Sequence, residues 1–255
     1  MKTIAIIPAR MSASRFPGKP LAQISGMAMI GHIYKRTSLE SIFDEVYVAT
    51  CDEEIKNYIE SIGGKAVMTK DTHERCTDRT AEALEKIEKE NQCKYDIIGM
   101  IQGDEPTVVP EIFKTALSGF KNNPEADVVN IMNRIQSNDE FISPNAVKVV
   151  VNPNHEAIYF SREPIPSTKK FNKEFPKYRQ TGMIFFKRDY LLKYQQMTPS
   201  FLEEIESVDM MRIIEHGDKI QMILSETPCL AVDIPDDIKP VELFFKTDLY
   251  IKKYI

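Results

Sequence analysis

The sequence predicts an α/β fold, a mostly parallel sheet with helices on both faces, carrying a smaller mixed β insert. Three observations predict it. From Ile4 to Ile131 short apolar runs alternate with amphipathic segments of helical period, the pattern of strands joined by helical crossovers. Several of these runs end in loops of small or charged residues, where open α/β sheets bind their ligands. From Asn133 onward, β-type runs bounded by Asn and Pro replace the alternation. A chain of 255 residues can bury a sizeable core, as one large domain or two small ones.

Composition narrows the function. With 42% hydrophobic and 28% charged residues and a net charge of −5, the chain reads as an ordinary globular protein. No long run of one sign is present, which argues against a general nucleic-acid binder. Nothing approaches the roughly 18 consecutive apolar residues of a membrane span. The opening MKTIAIIPAR has too short an apolar stretch for a signal peptide, so a cytoplasmic location is expected. Cys51, Cys76, Cys93 and Cys229 show no CxxC or Cys/His spacing and are expected to be reduced structural thiols.

The first strand is expected at Ile4 to Pro8. It feeds a loop with Arg10, Arg15 and Lys19 among Ser12, Ala13, Ser14 and Gly18, whose small side chains let backbone N–H groups approach a ligand. Three fixed cations there suit a polyphosphate, although a solvated basic loop has the same composition. The spacing is neither GxxxxGK[ST] nor GxGxxG, so kinase, GTPase and dinucleotide readings lose their usual support. Met27 to Leu39 has helical spacing and Val46 to Ala49 is a short strand. Glu53 to Ile62 reads as a helix stopped by Gly63 and Gly64, and Lys65 to Met68 as the next strand. This alternation is Rossmann-like.

Thr77 to Lys89 is expected as an amphipathic helix capped by Thr77 and Asp78. Asp96 to Ile101 is a buried strand running into Gln102-Gly103-Asp104-Glu105-Pro106, which places carboxylates directly after a central strand. A plain turn of Gly, Asp and Pro is the other reading. A helix at Pro110 to Phe120 and a strand at Ala126 to Ile131 follow. Val147 to Val151 and Ala157 to Phe160 form an expected hairpin through Asn152-Pro153-Asn154. Residues 164–177 read as a mobile loop, and Thr181 to Phe186 as a further strand. The chain closes with a helix at Phe201 to His216, a strand at Ile220 to Leu224, the segment Leu230 to Pro235, and a helix from Pro235 to about Lys252.

Taken together, IIPARMSASRFPGKPL, VYVATCDEEI, CTDRTAEAL, IQGDEP, SPNAVKVV with YFSREPIP, and AVDIPDDI resemble the 3-deoxy-manno-octulosonate (Kdo) cytidylyltransferases, in that family's order and along most of the chain. The resemblance implies a single nucleotidyltransferase domain over 1–255, with an insert at 133–190 supplying the acceptor side and a homodimer surface. It implies attack by an acceptor oxygen on the α-phosphorus of CTP with release of pyrophosphate. Arg10, Lys19, Asp104 and Asp233 would be catalytic. Ala9, Arg10, Arg15, Lys19, Thr77, Asp78, Arg79, Gln102 and Asp104 would hold the nucleotide. Asp104 and Asp233 would share one Mg²⁺, although Asp233 could equally be a helix cap before Pro235. Lys148, Arg162, Gln180, Ile184, Glu203, Glu206 and Met210 would line the acceptor side.

The acceptor half departs from the family. Where a histidine-leucine-glycine-isoleucine-tyrosine strand is usual, this chain has Gln180-Thr181-Gly182-Met183-Ile184, and a glutamate-glutamine pair has become Asp209-Met210. Sugar hydroxyls left unpaired cost about 1–3 kcal/mol each, so Ile184 and Met210 favour a small anionic acceptor, with phosphoglutamine in capsular phosphoramidate synthesis the first expectation. Kdo or a modified Kdo, in lipopolysaccharide or capsule synthesis, is the alternative, with the two substitutions read as drift on a core-facing strand. A nucleotide-binding module without activity is the third reading.

Overall fold

The computed structural model describes residues 1–12, 15–171, 173–227 and 229–255. Ala13 and Ser14, read above as part of the cationic loop, lie outside the described residues. The chain divides into two compact units, Met1–Lys114 with Cys229–Ile255, and Thr115–Pro228.

The first unit opens with β1 (Thr3–Ala9), buried along its whole length, as expected of a strand covered on both faces. A 3-10 turn at Lys19–Leu21 follows, then a small hairpin of β2 (Gln23–Ile24) and β3 (Met27–Ala28). The hairpin is a correction, since helical spacing was read from Met27. Ser25 and Gly26 take positive φ values of 47° and 87° there, forming a tight turn, and α1 (Met29–Ser38) starts only after it. Next come β4 (Glu45–Thr50), α2 (Glu53–Ser61), β5 (Ala66–Met68), α3 (Cys76–Asn91) and β6 (Ile97–Ile101), and α4 (Glu111–Asn122) begins before Lys114 and ends beyond it. β6, β1, β4 and β5 pair in that order and all in parallel, the Rossmann-like arrangement expected. The expected cap of α3 is corrected too. Its N-cap is Arg75, and Thr77 and Asp78 sit inside the first turn, because the helix begins one residue earlier.

The second unit is mixed. β7 (Val128–Arg134) is followed by α5 (Asn138–Ile142), the hairpin β8 (Lys148–Val151) and β9 (Ala157–Ser161), then β10 (Tyr178–Lys187) and α6 (Arg188–Gln196). The expected helix at Phe201 to His216 is two, α7 (Phe201–Glu206) and α8 (Met210–Glu215), because Ser207 between them adopts a left-handed φ of 52°. β11 (Gln221–Ser225) runs parallel to β7, while β10 is antiparallel to β7 and to β8. The register of β10 against β7 shifts between Gln180 and Ile184. The buried Asn130 amide fills the irregularity, donating to the carbonyls of Thr181 at 3.2 Å and Met183 at 3.0 Å.

Returning to the first unit, a 3-10 turn at Pro235–Asp237 leads into α9 (Ile238–Phe245), and a last 3-10 turn covers Ile251–Lys253, so the expected single terminal helix is interrupted. This segment is anchored by Arg36 of α1, which is wholly buried. Its guanidinium pairs with Asp248, donates to Val108 O at 3.1 Å and Tyr254 Oη at 3.0 Å, and stacks 5.0 Å from the Phe245 ring centroid. His32 donates from Nε2 to Ile24 O at 2.7 Å, which leaves Nδ1 to accept from Tyr254 Oη at 3.0 Å. Burial lowers the His32 pKa, in keeping with a neutral ring. Removing one partner of a buried ion pair strands the other. Arg36→Ala is therefore expected to lower unfolding free energy by about 3–5 kcal/mol, read by urea denaturation. A loss below about 1 kcal/mol would show that the terminal segment is not held by this pair.

Candidate active site

The carboxyl ends of β1 and β6 open onto a cavity of about 300 Å³, lined by both strand ends, the cationic loop, the segment before α3, and Asp233. Strand carboxyl ends are where this fold class binds ligands, because backbone N–H groups and loop side chains converge there. Gly103 lets the two strand ends approach. A Cβ at this position would lie 3.0 Å from Pro8 O and 3.2 Å from Ile30 Cδ1. On the other side, Asp52 at the end of β4 accepts from the Met11 N–H at 2.8 Å, and Gly18, at a φ of 75°, turns back to donate to Met11 O at 3.0 Å.

Lys19 and Arg15 are held by the far end of the chain. Lys19 Nζ donates to Val232 O at 2.8 Å and lies 3.5 Å from Asp104 Oδ2. Arg15 Nη2 pairs with Asp233 Oδ1 at 2.7 Å, and the Val232 N–H donates to Asp104 O at 2.8 Å. Asp104 and Asp233, far apart in sequence, are thereby brought to one wall. Burial, then the Asp104 charge, pushes the Asp233 pKa up, against the pull of Lys19 and Arg15. Asp233 is not a cap. The Asp237 carboxylate accepts from the N–H groups of Asp233 at 2.7 Å and Ile234 at 2.9 Å, while the Asp233 carboxylate is paired with Arg15 and lines the cavity.

Of the expected nucleotide residues, Ala9, Arg10, Arg15, Lys19, Arg79, Gln102 and Asp104 line this cavity. Thr77 is fully buried, and neither it nor Asp78 is among the lining residues. Arg79 is largely engaged by its own loop, donating to Thr69 Oγ1 at 2.5 Å, Lys70 O at 3.2 Å and His73 O at 3.3 Å. Sequence reasoning missed His73, Glu74, Arg75 and Cys76, which also line the cavity. The available signal was the position of that stretch, after a parallel strand and at a helix N-terminus. Among the described residues no group of three or more His, Cys, Asp or Glu side chains could hold a metal ion.

The residues expected on the acceptor side are mostly engaged inside the second unit. Lys148 is fully buried and donates to Ser143 O at 2.8 Å, Ala146 O at 2.7 Å and Arg162 O, which occupies all three ammonium hydrogens. Burial lowers its pKa. Arg162 donates to Glu206 O, Pro144 O and Ser207 O at 2.7, 2.9 and 3.1 Å. Glu206 in turn accepts from Ser161 Oγ at 2.8 Å and the Arg162 N–H at 2.9 Å. Glu203 is buried in a two-pronged pair with Arg212, both contacts 2.7 Å. Ile184 and Met210 are 0% exposed, core side chains with no open surface to offer a ligand. Strand alternation would put residues 180 and 184 on one face, and the register shift between them breaks that inference. Gln180 is half-buried, with Oε1 buried and unpaired among the described residues.

The comparisons with known proteins agree with this architecture. The chain is 39% identical over 254 residues to the 3-deoxy-manno-octulosonate cytidylyltransferase of Thermodesulfovibrio yellowstonii, covering 97% of this chain and 99% of the relative. The protein of the same name from Geotalea uraniireducens is 37% identical over 251 residues, covering 94% and 98%. Among solved structures, a CMP:2-keto-3-deoxy-manno-octonic acid synthetase complexed with CTP superposes with a TM-score of 0.87 at 36% identity, covering 98% of this chain and 100% of the other. A family model described as cytidylyltransferase matches residues 4–220. Together with the cation-lined cavity at the strand ends, this identifies the chain as a member of the cytidylyltransferase family.

Proposed function

We propose that this cytidylyltransferase transfers CMP from CTP to 3-deoxy-manno-octulosonate or a modified form of it, releasing pyrophosphate. The observation that carries the chemistry is the convergence of Arg10, Arg15 and Lys19 with Asp104 and Asp233 on one cavity. The acceptor's hydroxyl oxygen attacks the α-phosphorus and loses its proton to solvent, the bond from that phosphorus to the bridging oxygen breaks, and pyrophosphate leaves with the electron pair. Arg10, Arg15 and Lys19 neutralise the triphosphate and the charge that grows on the departing pyrophosphate. Gln102, at the end of β6, is assigned to the nucleotide. The acceptor is assigned from the relatives, whose names carry it at 36–39% identity over nearly the whole chain.

This acceptor replaces the phosphoglutamine expected from the sequence. That expectation rested on lost polar groups at Ile184 and Met210, and both positions are core. A protected core position exchanges side chains without touching the ligand, so the two substitutions carry no information about acceptor size. The test supplies CTP, Mg²⁺ and inorganic pyrophosphatase, with phosphate release followed for each acceptor separately. Release with 3-deoxy-manno-octulosonate is expected. Release with phosphoglutamine alone would overturn the assignment, and release with neither would favour a module without this activity.

Asp104 and Asp233 fit a Mg²⁺ ion. They are two hard oxygen donors on one wall, where burial, then the Asp104 charge, raises the Asp233 pKa and so disfavours a bare carboxylate there. An ion bound there would polarise the α-phosphate. The same shift has a stability consequence. A carboxyl whose folded pKa is raised above its ordinary 3.8 favours folding only while protonated, and that contribution is lost as pH rises through the folded value. Asp233→Asn is therefore expected to raise the thermal midpoint at neutral pH, with the gain shrinking on acidification. Turnover should fall at least about 100-fold in the same protein. A variant that stays fully active would remove Asp233 from the chemistry.

The segment 133–190 is assigned the acceptor side and a homodimer surface. Its support is that Ile142, Ile158 and Phe171 are exposed large apolar side chains within it. Sedimentation at micromolar protein is expected to give a dimer that Ile158→Glu dissociates. A wild-type monomer at that concentration would exclude the surface.

A further inference from the structure

One wall of the cavity, the loop from Thr69 to Arg75, is organised by a carboxylate facing away from the proposed chemistry. Glu82 on α3 is nearly buried and accepts from the Lys70 N–H at 3.1 Å, from Lys86 Nζ at 2.8 Å and from His73 Nε2. Burial pushes its pKa up. The hydrogen bonds from Lys86, Lys70 and His73 outweigh that and bring it to about 2. An ionised carboxylate only accepts, so His73 carries its proton on Nε2 and its ring is fixed. The His73 carbonyl then accepts from two guanidinium groups, Arg79 Nη2 at 3.3 Å and Arg10 Nη1 at 3.4 Å. Arg79 is buried and completes the loop from within, whereas Arg10 is exposed and stands in the cavity lining.

We propose that Glu82 and His73 form a positioning pair for Arg10, fixing the carbonyl that orients its guanidinium toward the triphosphate. Part of the affinity for CTP is thus set by a carboxylate that contacts no nucleotide. The proposal rests on the reading that this cavity takes the triphosphate.

The test is a double-mutant cycle on CTP affinity, measured by calorimetry with Mg²⁺ and without acceptor, so that it does not depend on which acceptor is right. Loosening one hydrogen-bonded support is expected to weaken CTP about three- to tenfold in Glu82→Ala and in His73→Ala. kcat at saturating CTP should fall as well, by no more than in Arg10→Ala, since Arg10 also meets the charge on the departing pyrophosphate. His73→Gln, which can still donate to Glu82, is expected to recover most of the affinity and covers the case in which Glu82→Ala does not fold. In an Arg10→Ala background, His73→Ala is expected to cost nothing further. Full additivity of the two losses, or unchanged affinity in both single variants, would overturn the positioning role while leaving the cavity assignment standing. Unchanged affinity in Arg10→Ala would remove the cavity assignment, and the positioning role with it.

Discussion

The ammonium of Lys19 lies between the carbonyl of Val232 and the carboxylate of Asp104, and one wall of the cavity depends on that placement. Three segments remote in sequence meet there: the loop after β1, the end of β6, and the strand-like stretch before Pro235. Each carries a charge that would be costly to bury alone. Together they are tolerable, yet burial, then the Asp104 charge, still raises the Asp233 pKa.

The surroundings keep that placement fixed. Asp52 and Gly18 hold the two ends of the cationic loop through Met11, and Gly103 allows the strand ends to come within van der Waals distance. The Asp237 carboxylate accepts from the Asp233 N–H and so fixes the backbone that carries the Asp233 side chain. Farther back, Arg36 ties the terminal segment to α1 and Val108, and His32 links the same segment to the hairpin just after Lys19. Preorganisation is thus built from hydrogen bonds outside the cavity, which is how a charged pocket avoids collapsing onto itself.

The second unit spends its polar residues differently. Lys148, Arg162 and Glu206 satisfy backbone carbonyls and one another, and Glu203 with Arg212 forms a buried pair between α7 and α8. Charged residues close in a sequence motif are easily read as ligand contacts. A buried ammonium with three carbonyl acceptors has no hydrogen left for one.

The alternation of strands and helices, the parallel pairing of the strands of the first unit, the cationic loop and the carboxylate after β6 were all legible in the sequence, because each rests on local periodicity or on residue type at a strand end. Four things were not. The split of the helix at Ser207 and the hairpin before α1 depend on single residues with positive φ, which composition does not announce. The segment His73 to Cys76 enters the cavity because Glu82, a turn and more into α3, holds it there. The burial of Ile184 follows from coverage of both faces of β10 between Thr181 and Phe186, which depends on elements far along the chain. The sequence by itself determined which chemistry was available. Tertiary structure decided which residues could reach it, since direction and burial depend on partners that lie far along the chain.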